Sequence, residues 1–308
     1  HVIFILVIAA SLLFQREFIS KYLLGHDVFG EFYVFRLANA NSSWNAVLSS
    51  GERDLFNYNA MLSITILPTI YSNLLNIKGE WVFKVVYLLL YSLVPVSLYQ
   101  TYYQRFGRLT AFLSTFYFML FPRFYILSSR RQMIAELFLV LMIFLIIDRG
   151  IERRKRQILF TIFGAALVVS HYSLSYVYLF LILFTWLSMT IEERHWLTRW
   201  NLGTSKTVMG VFVLLLFVMT LSWYTYVSVA PSRTFFDFIA NVSGSFLTDF
   251  LNPESRGEIY EAISPLFGPL SLPQFVDSAI NKLSYFFIII GVIYLFRNFK
   301  QKEFDWEY

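Results

Sequence analysis

Cysteine is absent from this sequence, and charged residues are scarce. The lack of cysteine among the 308 residues excludes disulfide bonds, thiol catalysis and thiolate metal sites. Four histidines leave little room for a histidine-rich metal centre. Only 15% of the residues are charged, whereas about a quarter are charged in a typical soluble domain. These values argue against an ordinary soluble fold.

Apolar and aromatic residues are correspondingly abundant. Hydrophobic residues make up 57% of the chain and aromatic residues 20%. Several windows of roughly 17 to 22 residues are almost free of charge, which is the length that crosses a bilayer core of about 30 Å. A transmembrane barrel would show short alternating strands instead. The composition therefore predicts an all-α polytopic protein of the cell membrane, with residues 1–308 forming a single transmembrane domain.

Apolar runs and the breaks between them predict about eight transmembrane helices. The run at 158–191 is too long for one crossing, so we expect two helices that turn near His171. The predicted crossings are 1–14, 81–103, 109–127, 132–147, the two helices within 158–191, 208–229 and 283–296.

Basic residues between the crossings predict the orientation of the chain. The segment "DRGIERRKRQ" at 148–157 is the most basic connection, and "RFGR", "EERHWLTRWNLGTSK" and "RNFKQK" fall on the same side by alternation. Positively charged loops lie in the cytoplasm, so the net charge of +5 needs no nucleic acid to explain it. Two long segments, about 15–80 and about 230–282, then face outward. The triplets "NSS" at Asn41 and "NVS" at Asn241 fit the N-glycosylation pattern and lie in these outer segments.

The first outer segment combines acidic residues with apolar stretches. In "GHDVFGEFY", His26 precedes Asp27, and Glu31 follows four residues later. On a helix two carboxylates at this spacing share a face, where one can act as a proton acceptor or both can hold a divalent cation such as Mg²⁺ or Mn²⁺. Alternatively, Asp27 caps a helix and Glu31 is solvated. The later stretch at 59–77 predicts one or two interfacial helices.

Cations gather at the outer ends of later crossings. "PRFYILSSRRQMIAE" brings Arg123, Arg130, Arg131 and Glu136 to the third and fourth crossings. These arginines either reach the lipid headgroups or bind an anionic ligand. The fifth crossing, at 158–170, is only about 20 Å long as a helix. It predicts that Ser170, His171 and Tyr172 sit below the outer surface, in a pocket that opens outward.

The order of several segments resembles the GT-C superfamily of membrane glycosyltransferases, and most closely an archaeal branch of predicted multi-spanning membrane proteins. The similarity spans residues 20–180. It lies in "GHDVFGEFY", "LSITILPTIYSNLLNI", "VFKVVYLLLYSLVPVSLY", "SSRRQMIAELFLVLMIFL" and "VVSHYSLSY".

The resemblance implies transfer of a sugar from a polyprenyl-phosphate donor, of the dolichol type, to an acceptor protein or glycan outside the cytoplasm. Asp27, with Glu31 beside it, occupies the place of the acidic residue that acts as base or metal ligand in this superfamily. Arg130, Arg131 and His171 are then candidates for binding the donor phosphate. The supporting residues implied by position are His26, Arg123, Glu136 and Tyr172.

Two departures from the superfamily leave other functions open. No soluble C-terminal recognition domain is present, and superfamily members usually have more crossings, which implies a missing C-terminal part or a reduced protein. The second hypothesis is a transporter or flippase of a lipid-linked substrate. Charges at the outer side and the lack of an internal repeat favour the enzyme over it. The third is a non-catalytic GT-C-like membrane subunit that assembles with partner membrane subunits. Membrane lipids are expected partners in every case.

Overall fold

The chain is described by a computed structural model. It describes residues 1–46, 57–148, 150–196, 203–227, 236–237, 239–241, 243–245 and 272–298. Most of the predicted second outer segment, about 230–282, and the part of the basic segment "RNFKQK" beyond residue 298 lie outside these ranges.

The described residues form α-helices with two π-helical turns and no strand, as the apolar runs predict. A break separates α8 from α9 at His171, where the sequence predicts a turn. The helices are α1 Val2–Glu17, α2 Asp27–Ala40, α3 Ile66–Leu75, α4 Gly79–Trp81 with its π turn Val82–Val86 and its continuation Tyr87–Tyr91, α5 Leu93–Leu120, α6 Pro122–Ile126, α7 Arg130–Ile147, α8 Arg153–Val168, α9 Tyr172–Trp196, α10 Gly203–Ser222 with its π turn Trp223–Val227, and α11 Leu272–Asn298.

Two helical segments in the described part of the chain are long and apolar enough to cross a membrane. They are Gly79–Gln104 and Gly210–Val227, and they correspond to the predicted second and seventh crossings. Shorter apolar helices occur at Ile66–Leu75, Tyr172–Leu187 and Ser278–Gly291. The structure thus supports an all-helical protein with two candidate spans, and the total of about eight crossings stays a prediction.

The start of the predicted third crossing lies inside a longer helix. α5 runs through it and is kinked at Gly107, whose φ of 78° is a left-handed value that glycine adopts without steric cost. Helix α5 ends at Leu120, and Phe121, in an extended conformation, separates it from the short helix α6. A single glycine therefore marks the boundary that the sequence placed between two crossings.

The chain divides into two compact units, one from His1 to Ser232 and one from Arg233 to Trp306. The second unit contains α11, where large apolar residues such as Phe287 and Ile288 are exposed. The predicted glycosylation site Asn241 also belongs to the second unit, and Asn41 lies at the C-terminal end of α2. All residues of the candidate site described below belong to the first unit.

Helix α7 lies at the centre of the first unit. Three consecutive residues point in three directions, because each residue turns by about 100° around a helix. Met133 packs in a cluster with α1 and α5 residues, Ile134 packs with Val28 and Phe83, and Ala135 joins the cluster of α8, α9 and α10. This packing fixes the position of the first turn of α7, which carries Arg130 and Arg131.

Candidate functional site

Asp27 and Glu31 lie on α2, one turn apart, beside the N-terminus of α7. The chain enters α2 through Gly25, whose φ is +119°. An added Cβ at Gly25 would lie 2.1 Å from the Cβ of Ser128. Glycine therefore allows the start of α2 to approach the residues just before α7.

The carboxylate of Glu31 caps the N-terminus of α7 from the neighbouring helix. It accepts hydrogen bonds from the Ser129 hydroxyl at 2.8 Å, the Arg130 backbone N–H at 2.7 Å and the Arg131 backbone N–H at 3.4 Å. Backbone N–H groups of a first helical turn have no partner within their own helix, and the helix dipole favours an anion there. Glu31 is completely buried, and this burial raises its pKa against the opposing effect of Arg131. These contacts favour a structural role for Glu31, and its catalytic role stays a prediction.

Arg130 is completely buried, and its whole guanidinium is bonded within the protein. Its Nη2 lies 2.7 Å from Glu17 Oε1, its Nε donates to the Phe83 carbonyl at 2.9 Å, and its Nη1 donates to the Ser128 carbonyl at 3.0 Å. Each of the three guanidinium nitrogens thus has an acceptor within the protein. The arrangement favours a structural role for Arg130, although phosphate binding by this residue is untested.

Arg131 faces the opposite way, toward α2 and Tyr58. Its Nη2 lies 3.1 Å from Asp27 Oδ2, and its Nη1 lies 3.5 Å from Glu31 Oε1. The Cζ atom lies 4.3 Å from the centre of the Tyr58 ring, within the range of a cation–π contact. The buried Nε and Nη1 of Arg131 have no hydrogen-bond partner in the described part of the protein. Two nitrogens of Arg131 are therefore without a hydrogen bond, and one of them, Nη1, lies within ion-pair distance of Glu31.

Asp27 is the accessible member of this group. Its side chain is 37% exposed, whereas that of Arg131 is 9% exposed and that of Glu31 is fully buried. Asp27 Oδ1 accepts a hydrogen bond from the Tyr58 hydroxyl at 3.4 Å. His26 is fully exposed, with its Nδ1 3.7 Å from the same oxygen. A ligand that approaches this group from outside therefore meets Asp27 before the buried cations.

His171 lies between α8 and α9 and interacts electrostatically with Asp27 and Arg131. Burial and then the charge of Arg131 lower the pKa of His171 to about 4, and Asp27 acts in the opposite direction. The ring is therefore neutral at pH 7. Its Nδ1 accepts a hydrogen bond from the Leu174 backbone N–H at 3.3 Å, so the single proton of the neutral ring is on Nε2. Tyr172 stacks on this ring at 5.7 Å.

The predicted supporting residues Glu136 and Arg123 are not part of the group formed by Asp27, Arg131 and Tyr58 in the described structure. Glu136 accepts hydrogen bonds from the Tyr91 hydroxyl and from the Gln132 amide, both at 2.7 Å. No contact of Glu136 with Asp27 or Arg131 is seen among the described residues. Arg123 lies in α6, and its side chain is outside the described residues.

The cation that lies between Asp27 and Glu31 is Arg131. Its guanidinium contacts both carboxylates, which does not fit a divalent metal ion held by the same two side chains. No group of three or more His, Asp or Glu residues that could hold a metal ion occurs in the described ranges.

Three residues of this region, Glu17, Lys84 and Tyr58, were not predicted from the sequence. Glu17 is the last residue of α1, just beyond the first apolar run, and a carboxylate at the end of a crossing is a signal for a buried partner. Lys84 reaches the end of the same helix, where its Nζ donates to the carbonyls of Glu17 at 3.3 Å and Ser20 at 2.6 Å. Tyr58 carried no such signal, because it is one of 20 tyrosines and lies 31 residues from the aspartate it contacts.

Comparison with known proteins supports the class of the chain. A family described as predicted membrane proteins (DUF2206) matches residues 156–308. The chain is a membrane protein. Of the candidate residues in this membrane protein, His171 and Tyr172 fall inside the matched part, and Asp27, Tyr58 and Arg131 fall outside it. Neither a curated protein nor a solved structure matches the chain.

Proposed function

We propose that this membrane protein is a glycosyltransferase that moves a sugar from a polyprenyl-phosphate donor to an acceptor on the extracytoplasmic side. One observation carries the proposal. A partly exposed carboxylate, Asp27, follows the first apolar helix and lies 3.1 Å from Arg131, whose Nε and Nη1 lack hydrogen-bond partners in the described structure. In sugar transfer from a phosphate donor, a base can take the proton of the acceptor and a cation can stabilise the departing phosphate.

Arg131 is the residue that we assign to the donor phosphate. A planar guanidinium binds phosphate through paired hydrogen bonds. Buried donors without partners are costly in the free protein, and a phosphate oxygen would satisfy them. A phosphate bound to the guanidinium would neutralise its charge, which weakens the ion pair between Nη2 and Asp27 Oδ2 and releases that oxygen.

The released carboxylate is the proton acceptor in the proposed step. The acceptor hydroxyl oxygen attacks the anomeric carbon of the sugar, and the bond from that carbon to the phosphate oxygen breaks. The bonding electron pair leaves with the phosphate, and the hydroxyl proton passes to Asp27. Neutralisation by Arg131 makes the phosphate a better leaving group.

His171 contributes a neutral hydrogen-bond donor. Because its pKa is lowered to about 4 and Nδ1 is occupied by the Leu174 N–H, the Nε2–H group can donate at neutral pH. We assign this donor to a phosphate oxygen, which places one charged and one uncharged donor on the leaving group.

Replacement of Asp27 by Asn tests the proposed base. Asn keeps the size of the side chain but cannot accept the proton, so transfer of a radiolabelled sugar from polyprenyl phosphate should fall by about 100-fold or more. The control is Glu80→Gln, which neutralises an exposed carboxylate at the start of α4. Transfer by Asp27→Asn at the parental rate would remove Asp27 from the proposed role.

Replacement of Arg131 by Ala tests the phosphate site in the same membranes. The variant should bind polyprenyl-phosphate sugar about 10-fold or more weakly, because a charge-assisted hydrogen bond contributes about 1.5–3 kcal/mol. The matched control is Arg36→Ala, which removes an exposed arginine from α2. Unchanged donor affinity in Arg131→Ala, with Arg36→Ala as reference, would contradict the assignment.

A further inference from the structure

Tyr58 contacts both charged residues of the candidate site, although it comes from a different segment of the chain. Its hydroxyl donates to Asp27 Oδ1 at 3.4 Å. The face of its ring lies under the guanidinium of Arg131, at 4.3 Å from Cζ. Glu31 also contacts Arg131, but its carboxylate caps the N-terminus of α7.

Gly30 makes this position of the Tyr58 ring possible. A Cβ on Gly30 would lie 2.4 Å from Cε2 and 2.7 Å from Cδ2 of Tyr58, distances that van der Waals contact does not allow. Gly30 is inside α2, where glycine costs about 1 kcal/mol relative to alanine. The close approach of the ring therefore explains a glycine that the helix itself disfavours.

We propose that Tyr58 is a positioning residue that holds Asp27 and Arg131 in one unit, an inference that rests on the proposed function. The hydroxyl orients one oxygen of the carboxylate, which directs the other oxygen toward Arg131. The ring supports the guanidinium from below, so the contact occupies the face of the guanidinium and uses none of its N–H groups. The two parts of one side chain thus perform separable tasks.

The environment keeps the Tyr58 hydroxyl a donor. Burial raises the pKa of Tyr58 to about 12, with the nearby carboxylates acting in the same direction and Arg131 opposing them. The hydroxyl is therefore protonated throughout the physiological pH range and can donate to Asp27.

Two substitutions separate the tasks of the hydroxyl and the ring. Tyr58→Phe keeps the ring under Arg131 and removes the hydrogen bond to Asp27, so kcat should fall about 5- to 10-fold with KM for the polyprenyl-phosphate sugar unchanged. Tyr58→Leu removes both contacts, so KM should also rise, by about 3-fold or more. The control Tyr22→Phe removes an exposed hydroxyl and should leave both constants unchanged.

A glycine substitution tests the same geometry without changing Tyr58. Gly30→Ala should displace the ring and reproduce the effect of Tyr58→Leu on KM. The matched control is Gly164→Ala in α8, where the nearest side-chain atoms to an added Cβ lie at 3.5 and 3.6 Å, which is ordinary van der Waals contact. Equal kinetics in Gly30→Ala and Gly164→Ala would overturn the inference.

A stability measurement separates failure of this inference from failure of the proposed function. In a double-mutant cycle on the Tm of purified protein in detergent, Asp27→Ala, which removes the acceptor oxygen, should lower the Tm less in the Tyr58→Phe background than in the wild type, because the shared hydrogen bond is already lost. Additive Tm shifts would overturn the contact whatever the activity. Coupled shifts with no change in transfer in either variant would leave the contact in place and refute the catalytic assignment.

Discussion

Arg130 and Arg131 are chemically identical neighbours, and the structure gives them opposite environments. Arg130→Met is the perturbation that tests this difference most directly. Met keeps much of the apolar stem but removes a guanidinium that is completely buried. Three contacts are lost at once, those to Glu17 Oε1, the Phe83 carbonyl and the Ser128 carbonyl.

The expected loss of stability in Arg130→Met follows from Glu17, the carboxylate that loses its counter-ion. Glu17 is 4% exposed, so removal of Arg130 leaves a buried carboxylate without its counter-ion, a change that typically costs about 3–5 kcal/mol. A loss of that size should lower the Tm by roughly 10 °C in a chain of this length. Arg131→Met should lower the Tm less, because the buried carboxylate that it abandons, Glu31, keeps its hydrogen bonds from the Ser129 hydroxyl and the Arg130 N–H.

The assay is thermal unfolding of the purified protein in detergent, with a second variant to identify the cause. Glu17→Gln added to Arg130→Met removes the uncompensated charge and should restore about half of the loss, since the Phe83 and Ser128 carbonyls still lack their donor. Surface substitutions usually change stability by less than about 0.5 kcal/mol. A difference in Tm of less than about 2 °C between Arg130→Met and Arg131→Met is within that scatter, and it would refute the structural role of Arg130. So would an absence of any recovery in the double variant.

Two further predictions concern acid stability and orientation. Between pH 6.5 and about 4 the unfolded chain binds a proton on His171 that the folded chain does not, so stability should fall by up to about 3 kcal/mol as the pH is lowered through this window. His171→Gln should remove that part of the dependence in Tm measurements from pH 8 to pH 4.5, and an unchanged curve would contradict the buried neutral ring. Because the chain has no cysteine, Ser43→Cys and Lys155→Cys each carry one thiol. An impermeant maleimide should label the first in intact cells and the second only after permeabilisation, and the reverse pattern would invert the predicted orientation.

Periodicity and composition were sufficient to predict much of the helical framework. The long apolar run at 81–103 is a helix, and a break occurs at His171, where the run at 158–191 is too long for one crossing. Such features are predictable because a bilayer requires continuous apolar helices in which backbone hydrogen bonds are satisfied locally. The sequence also predicts that Asp27 and Glu31 share a helix, since i,i+4 spacing is a local property.

The roles within the charged group were much less predictable. Sequence spacing treats Asp27 and Glu31 as an equivalent pair, and it treats Arg130 and Arg131 as two equivalent cations. In the structure, α7 turns by about 100° between the two arginines, which directs Arg130 into the core and Arg131 toward α2. Glu31 meets the N-terminus of α7, whereas Asp27, one turn earlier, reaches the surface. Burial separates these roles, and burial depends on neighbours that are distant in the chain.

The sequence by itself determined that this protein is helical and resides in a membrane, because both properties depend on local apolar length and on the scarcity of charge. It also marked the segments that carry the acids and the cations. Only the tertiary structure decided that Tyr58 joins Asp27 to Arg131 and that Glu17 neutralises Arg130. These contacts join residues 31 and 113 positions apart, and helix packing, which no local pattern encodes, sets their distances.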